Sequence, residues 1–189
     1  RGFARDNGTI PDGLVDAIAS RVEEVFGSRE IMVRHRSSSN VEDILDFNGA
    51  GLYESTSICV ADSFDEDDIG PSLCDPTRNP ERTIERALRK VWTSLWTYRA
   101  VEERSFFQIP QDLSSMGILV SRAFLDERAN GVAFTGNLSN PADKRYVVTA
   151  QVGEESVVSP NPGVLPEKNV LEISDGAVVR IIRPQLGST

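Results

Sequence analysis

The strongest constraint on the fold is a change of hydrophobic pattern near the middle of the chain. Between residues 81 and 106 apolar residues recur at helical spacing, at Ile84, Leu88, Val91, Leu95 and Tyr98. After residue 116 the apolar residues fall instead into short strand-like segments separated by turn residues. The sequence therefore predicts one long helix over 81–106 followed by antiparallel strands, which is an α+β fold class.

The predicted strands of this second half cover residues 117–124, 131–138, 145–152, 169–173 and 177–182. Asn130-Gly131 and Asp175-Gly176 are pairs that favour tight hairpin turns. An antiparallel meander is therefore expected. Trp92 and Trp96 stand four residues apart on the predicted long helix, so they share one face, and we expect both to pack in the core rather than to stack on a ligand.

The first half begins with a second amphipathic helix, which Pro11 and Asp12 open and Gly27 ends. Short strands are predicted over 31–35 and 56–60. Residues 61–80 are polar and contain prolines, so they are predicted to form a linker or surface excursion. The acidic run within them lacks the glycine and terminal glutamate of a calcium loop, and a solvated loop is expected.

Two stretches could hold a polyphosphate. Residues 33–43 read VRHRSSSNVED, so Arg36 follows an apolar strand and precedes three hydroxyls, and residues 47–55 form the glycine-spaced sequence FNGAGLYES. A guanidinium fork with hydroxyl and loop amide donors suits phosphate oxygens. The alternative stays open on chemistry alone, because a Ser-rich turn often satisfies its own backbone and glycines often serve only positive φ.

Composition excludes several classes of function. The net charge of −9 and pI near 4.7 disfavour binding to nucleic acid or an anionic membrane, since both need a positive field. No apolar run of spanning length and no charged-then-apolar leader is present, so neither a membrane span nor a signal peptide is expected. Cys59 and Cys74 have no metal-binding spacing and are predicted to be reduced structural thiols, with a cytoplasmic location as the default.

Residues 36–43 resemble the Arg-Ser-Ser-x-x-x-Glu-Asp signature of the nucleotide-binding domain of phosphoenolpyruvate synthase and pyruvate phosphate dikinase. Further blocks resemble that family in the same order: 87–96 with Arg99-Ala100, 116–120, 129–135 and 151–158. The resemblance implies an ATP-grasp fold, ATP as ligand and Mg²⁺ in the intact enzyme. The loop sequence GAGLYES also resembles the glucan, water dikinases, so the acceptor is left open.

The resemblance implies a set of nucleotide-binding residues but no catalytic residue and no metal ligand. Arg36 is expected at the polyphosphate, and the segment around Ser121 at an interlobe hinge where main-chain groups hold adenine. The usual hinge glutamine is Ser121 here, which weakens a side-chain role. The full set is Arg36, Ser37, Gly49, Gly51, Ser121, Arg122, Thr135 and Gln151.

His35 is the only histidine, and the resemblance assigns it no phosphate-carrying role. The family passes phosphate to a histidine on a separate swivelling domain, in a context resembling Thr-Ser-His-Ala, whereas His35 lies between Arg34 and Arg36. Two neighbouring cations are expected to lower the pKa of its imidazole. Pyruvate would be bound only by domains outside this sequence.

The chain is expected to be an incomplete ATP-grasp domain over 1–189, made of a signature-loop segment (1–60), a linker (61–80) and a helix-plus-strand segment (81–189). The Asp-x-Glu and Gln-x-Arg strands of the family are missing, so the isolated piece is expected to be inactive. The leading hypothesis is the ATP-binding part of a dikinase that transfers the β-phosphate of ATP through a phosphohistidine to pyruvate. The alternatives are another acceptor, such as a glucan or antibiotic hydroxyl, or a noncatalytic interaction module.

Overall fold

The computed structural model describes residues 4, 7–45, 47–66, 69–77, 79–124, 127–137, 140, 142–152, 157 and 163–187. Two compact units are formed, residues 1–123 and 124–189. Helices and antiparallel sheets are both present, so the predicted α+β class is confirmed. None of the described helices has the length and apolar character needed to cross a bilayer.

The first unit is built around a central strand. Its described elements are α1 (Leu14–Phe26), β1 (Met32–Ser39), β2 (Asp43–Ile44), β3 (Phe47–Asn48), β4 (Thr56–Cys59), a short 3-10 helix (Ala61–Ser63), α2 (Ile84–Ser94), α3 (Tyr98–Phe106) and β5 (Met116–Arg122). Strand β1 lies between β4 and β5 and pairs with both in antiparallel register, while β2 and β3 form a small hairpin.

One face of this three-stranded sheet packs on helices. Because side chains alternate along a strand, Val33 of β1 and Ile58 of β4 share a face. Both are almost fully buried, in a core cluster with Leu88 and its α2 neighbours and with Val22 of α1. Helix α1 ends at Gly27 as predicted, and this glycine takes the left-handed conformation (φ 82°) that favours glycine as a helix stop.

The predicted single helix over 81–106 is wrong, because the structure divides it into α2 and α3. Thr97 interrupts it: its backbone is extended, and its side chain accepts a hydrogen bond from the Ala100 amide at 3.2 Å. A threonine that caps the next helix satisfies amides that a continuous helix would use for itself. The apolar spacing survives the break because α2 and α3 both present buried faces to the core.

The break also separates the two tryptophans. Trp92 packs against the core cluster, as predicted. Trp96 lies in the turn between α2 and α3 with 46% of its surface exposed, so its prediction as a core residue is wrong. Tyr98, counted in the apolar stripe, is 81% exposed at the start of α3.

Arg104 on α3 is fully buried and was not singled out by the sequence. Its guanidinium donates hydrogen bonds to the Leu95 carbonyl (2.7 Å), the Gln111 side-chain oxygen (2.9 Å) and the Tyr53 hydroxyl (3.3 Å). The ring of Trp96 lies 5.7 Å from it, within cation–π range. Arg104 therefore connects the helix break to the loop that precedes β4.

Two strand predictions need correction. Strand β5 pairs with β1 rather than joining the meander. The ladder with β5 also extends β1 to Ser39, so Arg36 and the serines after it lie in a strand and not in a loop. A row of serines can continue a strand when each backbone group meets a partner on the neighbouring strand.

The second unit is a four-stranded antiparallel meander, in the order β6 (Ala129–Phe134), β7 (Tyr146–Val152), β8 (Glu167–Ser174) and β9 (Ala177–Gln185). The predicted turn at Asp175-Gly176 is confirmed, with positive φ at both residues. The other predicted turn is wrong, because Asn130 and Gly131 lie inside β6 and pair with β7.

Cys59 and Cys74 form a disulfide bond, so the prediction of reduced thiols is wrong. Cys74 therefore lies next to the end of β4, although it is 15 residues from Cys59 in sequence. Asp62 helps to hold this return: it is 1% exposed rather than solvated, and its carboxylate accepts hydrogen bonds from the Leu73 and Arg82 amides. The argument for a cytoplasmic location from reduced thiols is therefore lost.

His35 is fully buried on the helix-packed face of β1. Neither imidazole nitrogen has a hydrogen-bond partner among the described residues. Burial lowers the pKa of His35 to about 4. The direction agrees with the expectation, but the cause is desolvation and not Arg34 and Arg36, whose side chains alternate to the other face.

Removal of the disulfide should destabilise the first unit. Closing a loop of this length stabilises the folded chain by about 3 kcal/mol through the unfolded state. We expect Cys74→Ser to lower the free energy of unfolding in urea by about that amount, and dithiothreitol to do the same to the native chain but not to the variant. Two reactive thiols in the unreduced native chain would contradict the pairing.

Loss of the buried guanidinium should cost more than loss of an exposed one on the same helix. Arg104→Leu leaves three acceptors without their donor, so we expect the free energy of unfolding to fall by about 2–4 kcal/mol. Arg99 is exposed on α3, and the control Arg99→Leu should change it by less than about 0.5 kcal/mol. Equal effects of the two substitutions in urea denaturation would contradict this role of Arg104.

The protonation of His35 should follow its burial. The unfolded state takes up a proton near pH 6.5 and the folded state only near pH 4, so stability falls as the pH drops through this interval. The loss should reach about 3 kcal/mol and then level off. Because the chain has one histidine, its imidazole NMR resonances can be titrated without ambiguity. A midpoint near 6.5 in the folded chain would contradict the burial.

Candidate functional site

The face of β1 that points away from α2 carries two arginines. Arg34 and Arg36 are two residues apart, so they share this face, while His35 between them points into the core. The Arg36 Nε donates a hydrogen bond to the Ser121 Oγ of β5 at 3.4 Å. On the other side, the Arg34 Nη1 donates to the Ser57 Oγ of β4 at 3.3 Å. Three strands therefore converge on one polar surface.

This surface has excess positive charge. Burial lowers the pKa of Arg34, and the neighbouring charges of Arg36 and Arg82 lower it further. Within the part of the chain that the structure describes, neither Arg34 nor Arg36 forms an ion pair with a carboxylate. An anion bound here would offset the repulsion between the two guanidinium groups and accept hydrogen bonds from both.

Arg34 was missed as a site residue by the sequence analysis. The signal was available, because the extension of β1 through Arg36 puts residues 34 and 36 on the same face. It was overlooked because Arg36 was expected to lie in a loop, where no such alternation applies.

Ser37 lies on the other face of β1 from Arg36. Its backbone N–H donates to the Ser55 Oγ at 3.1 Å, and the two hydroxyls are 3.4 Å apart. Ser37 thus attaches the end of the glycine-spaced loop to β1. The structure does not bring its hydroxyl to the side chain of Arg36.

Each of the two glycines of that loop is required by the backbone conformation, for a different reason. Gly51 has φ +78°, which L side chains rarely adopt. Gly49 donates its N–H to the Glu42 carbonyl at 2.6 Å, and an added Cβ would lie 3.2 Å from that oxygen. The alternative in which these glycines serve the turn is therefore supported by local geometry. Tyr53 then anchors the loop through Arg104.

The remaining predicted residues lie on other elements of the two units. Arg122 pairs with Val33, so it lies on the opposite face of the sheet from Arg36. Thr135 and Gln151 belong to the second unit, where Thr135 follows the end of β6 and Gln151 pairs with Asn130 at its start. Gln151 is 7% exposed, and its Oε1 has no partner among the described residues.

The described residues do not present a metal site. No group of three or more His, Cys, Asp or Glu side chains lies close enough together in that part of the chain to hold an ion. The surface on β1 is instead suited to an anion, because its side-chain groups are guanidinium and hydroxyl donors.

Comparison with known proteins places the chain among relatives of one family. The family model described as pyruvate phosphate dikinase, AMP/ATP-binding domain, matches residues 6–188. A probable phosphoenolpyruvate synthase of Pyrococcus horikoshii is 27% identical over 170 residues, which are 86% of this chain and 18% of that protein. A phosphoenolpyruvate synthase of Aeropyrum pernix is 26% identical over 169 residues, 89% of this chain and 18% of that protein.

The chain thus spans about a fifth of the length of these curated relatives. The family match, in contrast, covers nearly the whole chain and includes both units. The arginine-bearing strand, the loop that follows it and the antiparallel sheets of both units all fall inside the match. The chain belongs to the family of the AMP/ATP-binding domain of pyruvate phosphate dikinase.

Proposed function

We propose that the chain is the ATP-binding part of a phosphoenolpyruvate synthase-like dikinase. The observation that carries the proposal is the pair of arginines on the outer face of β1, which lack carboxylate partners among the described residues. Arg36 binds the polyphosphate through its two-pronged guanidinium, and Arg34 adds a second positive charge. Ser121 orients Arg36 through the hydrogen bond at 3.4 Å.

The adenine is proposed to bind along β5. In the sheet order β4-β1-β5 this strand is an edge, so its outer side offers main-chain donors and acceptors near residues 119–122. Main-chain binding agrees with a serine in place of the usual hinge glutamine. Ser37, Gly49 and Gly51 shape the loop beside the phosphates, and Arg122, Thr135 and Gln151 remain proposed nucleotide contacts of an ATP-grasp-like fold.

The proposed reaction belongs to the longer parent enzyme. There the β-phosphate of ATP passes to a histidine of a swivelling domain and from it to pyruvate, which other domains bind. Mg²⁺ is proposed as a cofactor of that enzyme; the described residues contain no cluster of His, Cys, Asp or Glu side chains that would hold it. The buried His35, with a pKa of about 4, is unsuited to carry the phosphate.

Two alternatives remain within the proposal. The same ATP half-reaction could serve a glucan or an antibiotic hydroxyl, because acceptor chemistry lies in other domains. A noncatalytic module would instead lack ATP binding altogether. A cytoplasmic location stays a proposal, and the thiols that first suggested it form a disulfide.

Calorimetric titration with ATP tests the proposal directly. We expect the isolated chain to bind ATP weakly and without turnover. Arg36→Ala should weaken binding by about 10- to 100-fold, the effect of losing a charge-assisted phosphate contact. Arg36→Lys should recover only part of the affinity, because an ammonium group cannot reproduce the two-pronged contact.

Arg21→Ala provides the matched control, since it removes an exposed arginine of helix α1 that has no proposed contact with the nucleotide. Its effect on affinity should be clearly smaller than that of Arg36→Ala. Undiminished ATP binding by a folded Arg36→Ala variant would refute the phosphate role of Arg36. The absence of any ATP binding by the native chain would favour the noncatalytic module.

A further inference from the structure

A second basic surface lies on the helix side of the first unit. A cavity of about 540 Å³ opens between the end of the 60–80 segment, strand β4 and helix α2. This volume is within the range of small-molecule sites, which is about 300–1,000 Å³. Its polar lining consists of Thr56, Glu81, Arg82, Arg86, Arg89 and Lys90. Four cations thus face one carboxylate in a chain of net charge −9.

Backbone carbonyls, not carboxylates, hold two of these cations in place. The Arg86 Nη1 donates to the Glu81 carbonyl at 2.8 Å, and the Arg89 Nε donates to the Gly8 carbonyl at 2.8 Å. Neither guanidinium has an ion pair within the described ranges. Each therefore keeps its full charge and has N–H groups beyond the one that anchors it.

Two carboxylates, those of Glu54 and Glu81, offset part of the positive charge of the cavity. Lys90 lies 3.9 Å from the Glu54 carboxylate, at the limit of an ion pair, and both side chains are about one-third exposed. Such a pair contributes little and is easily exchanged for a better ligand. The Glu81 carboxylate is almost fully buried and accepts a hydrogen bond from the Gly70 amide.

This cavity is distinct from the arginine face of β1. Thr56 pairs with His35 and Ile58 pairs with Val33, so these two lining residues alternate with Ser57, the residue that contacts Arg34. These two lining residues therefore lie on the core face of the sheet and the arginines on its outer face, although the charge of Arg82 is close enough to lower the pKa of Arg34.

We propose that this cavity is a second anion site, which binds a molecule with two or more linked phosphate groups. A single phosphate could engage only part of the four-cation lining, whereas a diphosphate can contact the fixed guanidinium groups and Lys90 together. The diphosphate can be free or part of a nucleotide. This inference does not depend on nucleotide binding at Arg36.

The experiment titrates inorganic pyrophosphate into the ¹⁵N-labelled chain. The chain carries Arg36→Ala, which removes the proposed phosphate-binding arginine from the outer face of β1. We expect pyrophosphate to shift the amide resonances of Ile58, Ala87 and Lys90. Adding Arg86→Gln and Lys90→Gln should weaken this binding at least about tenfold. The control is Arg21→Gln, which also removes one positive charge, from an exposed arginine on α1. It should leave the affinity for pyrophosphate unchanged.

Lys90→Gln alone is the variant expected to disturb folding least, because the one polar contact described for the Lys90 side chain is the long one to Glu54; we expect this variant to bind pyrophosphate several-fold more weakly. Titration with ADP in place of pyrophosphate distinguishes the two sources of the diphosphate. Amide shifts as large as those with pyrophosphate indicate that the site accepts the phosphates of a nucleotide, and smaller shifts indicate that it prefers free diphosphate. Unmoved amides at these positions, or equal pyrophosphate affinity in the folded charge-removed variants, would overturn the proposal. Both outcomes can be read whether or not ATP binds at Arg36.

Discussion

The two hydrogen-bonded ladders of β1 are the interaction on which the first unit depends. Because β4 and β5 both pair with this strand, its backbone direction is determined over eight residues and its side chains must alternate between two environments. One environment is the helix-packed core, which receives Val33 and His35. The other is the outer face, which receives Arg34 and Arg36. Neither arginine could occupy the core without an uncompensated buried charge.

Helix α2 transmits this arrangement to the rest of the unit. Its buried stripe packs on the core face of β1 and β4, and its basic side chains border the cavity beside β4. The turn after α2 exposes the Leu95 carbonyl to Arg104, which in turn holds Tyr53 and thus the glycine-spaced loop. The loop is therefore held at two points, by the buried guanidinium of Arg104 and by the Ser37–Ser55 contact.

Much of this could be predicted from local pattern. The α+β class, helix α1 with its glycine stop, the Asp175-Gly176 turn and the family all follow from periodicity, capping residues or short ordered motifs. Two of the failures share a cause, which is that they depend on contacts between distant segments. The disulfide requires Cys74 to lie against the end of β4, and the strand extension to Ser39 requires β5. The helix break was readable in principle from Thr97, but the apolar spacing across it was misleading. Arg34 became visible as a site residue only when Arg36 was found in a strand.

The alternation along β1 has a consequence for how this strand can vary among relatives. At positions 33 and 35 the acceptable residues are limited by side-chain shape and by the cost of burying a polar group. Substitutions there should therefore conserve side-chain volume. At positions 34 and 36 the acceptable residues are limited by the charge and the length of the side chain, and side-chain volume matters little to the fold. A short, contiguous sequence is therefore subject to two independent selection pressures that interleave residue by residue. Averaging variability over the whole segment would hide both, whereas separating odd from even positions would reveal them.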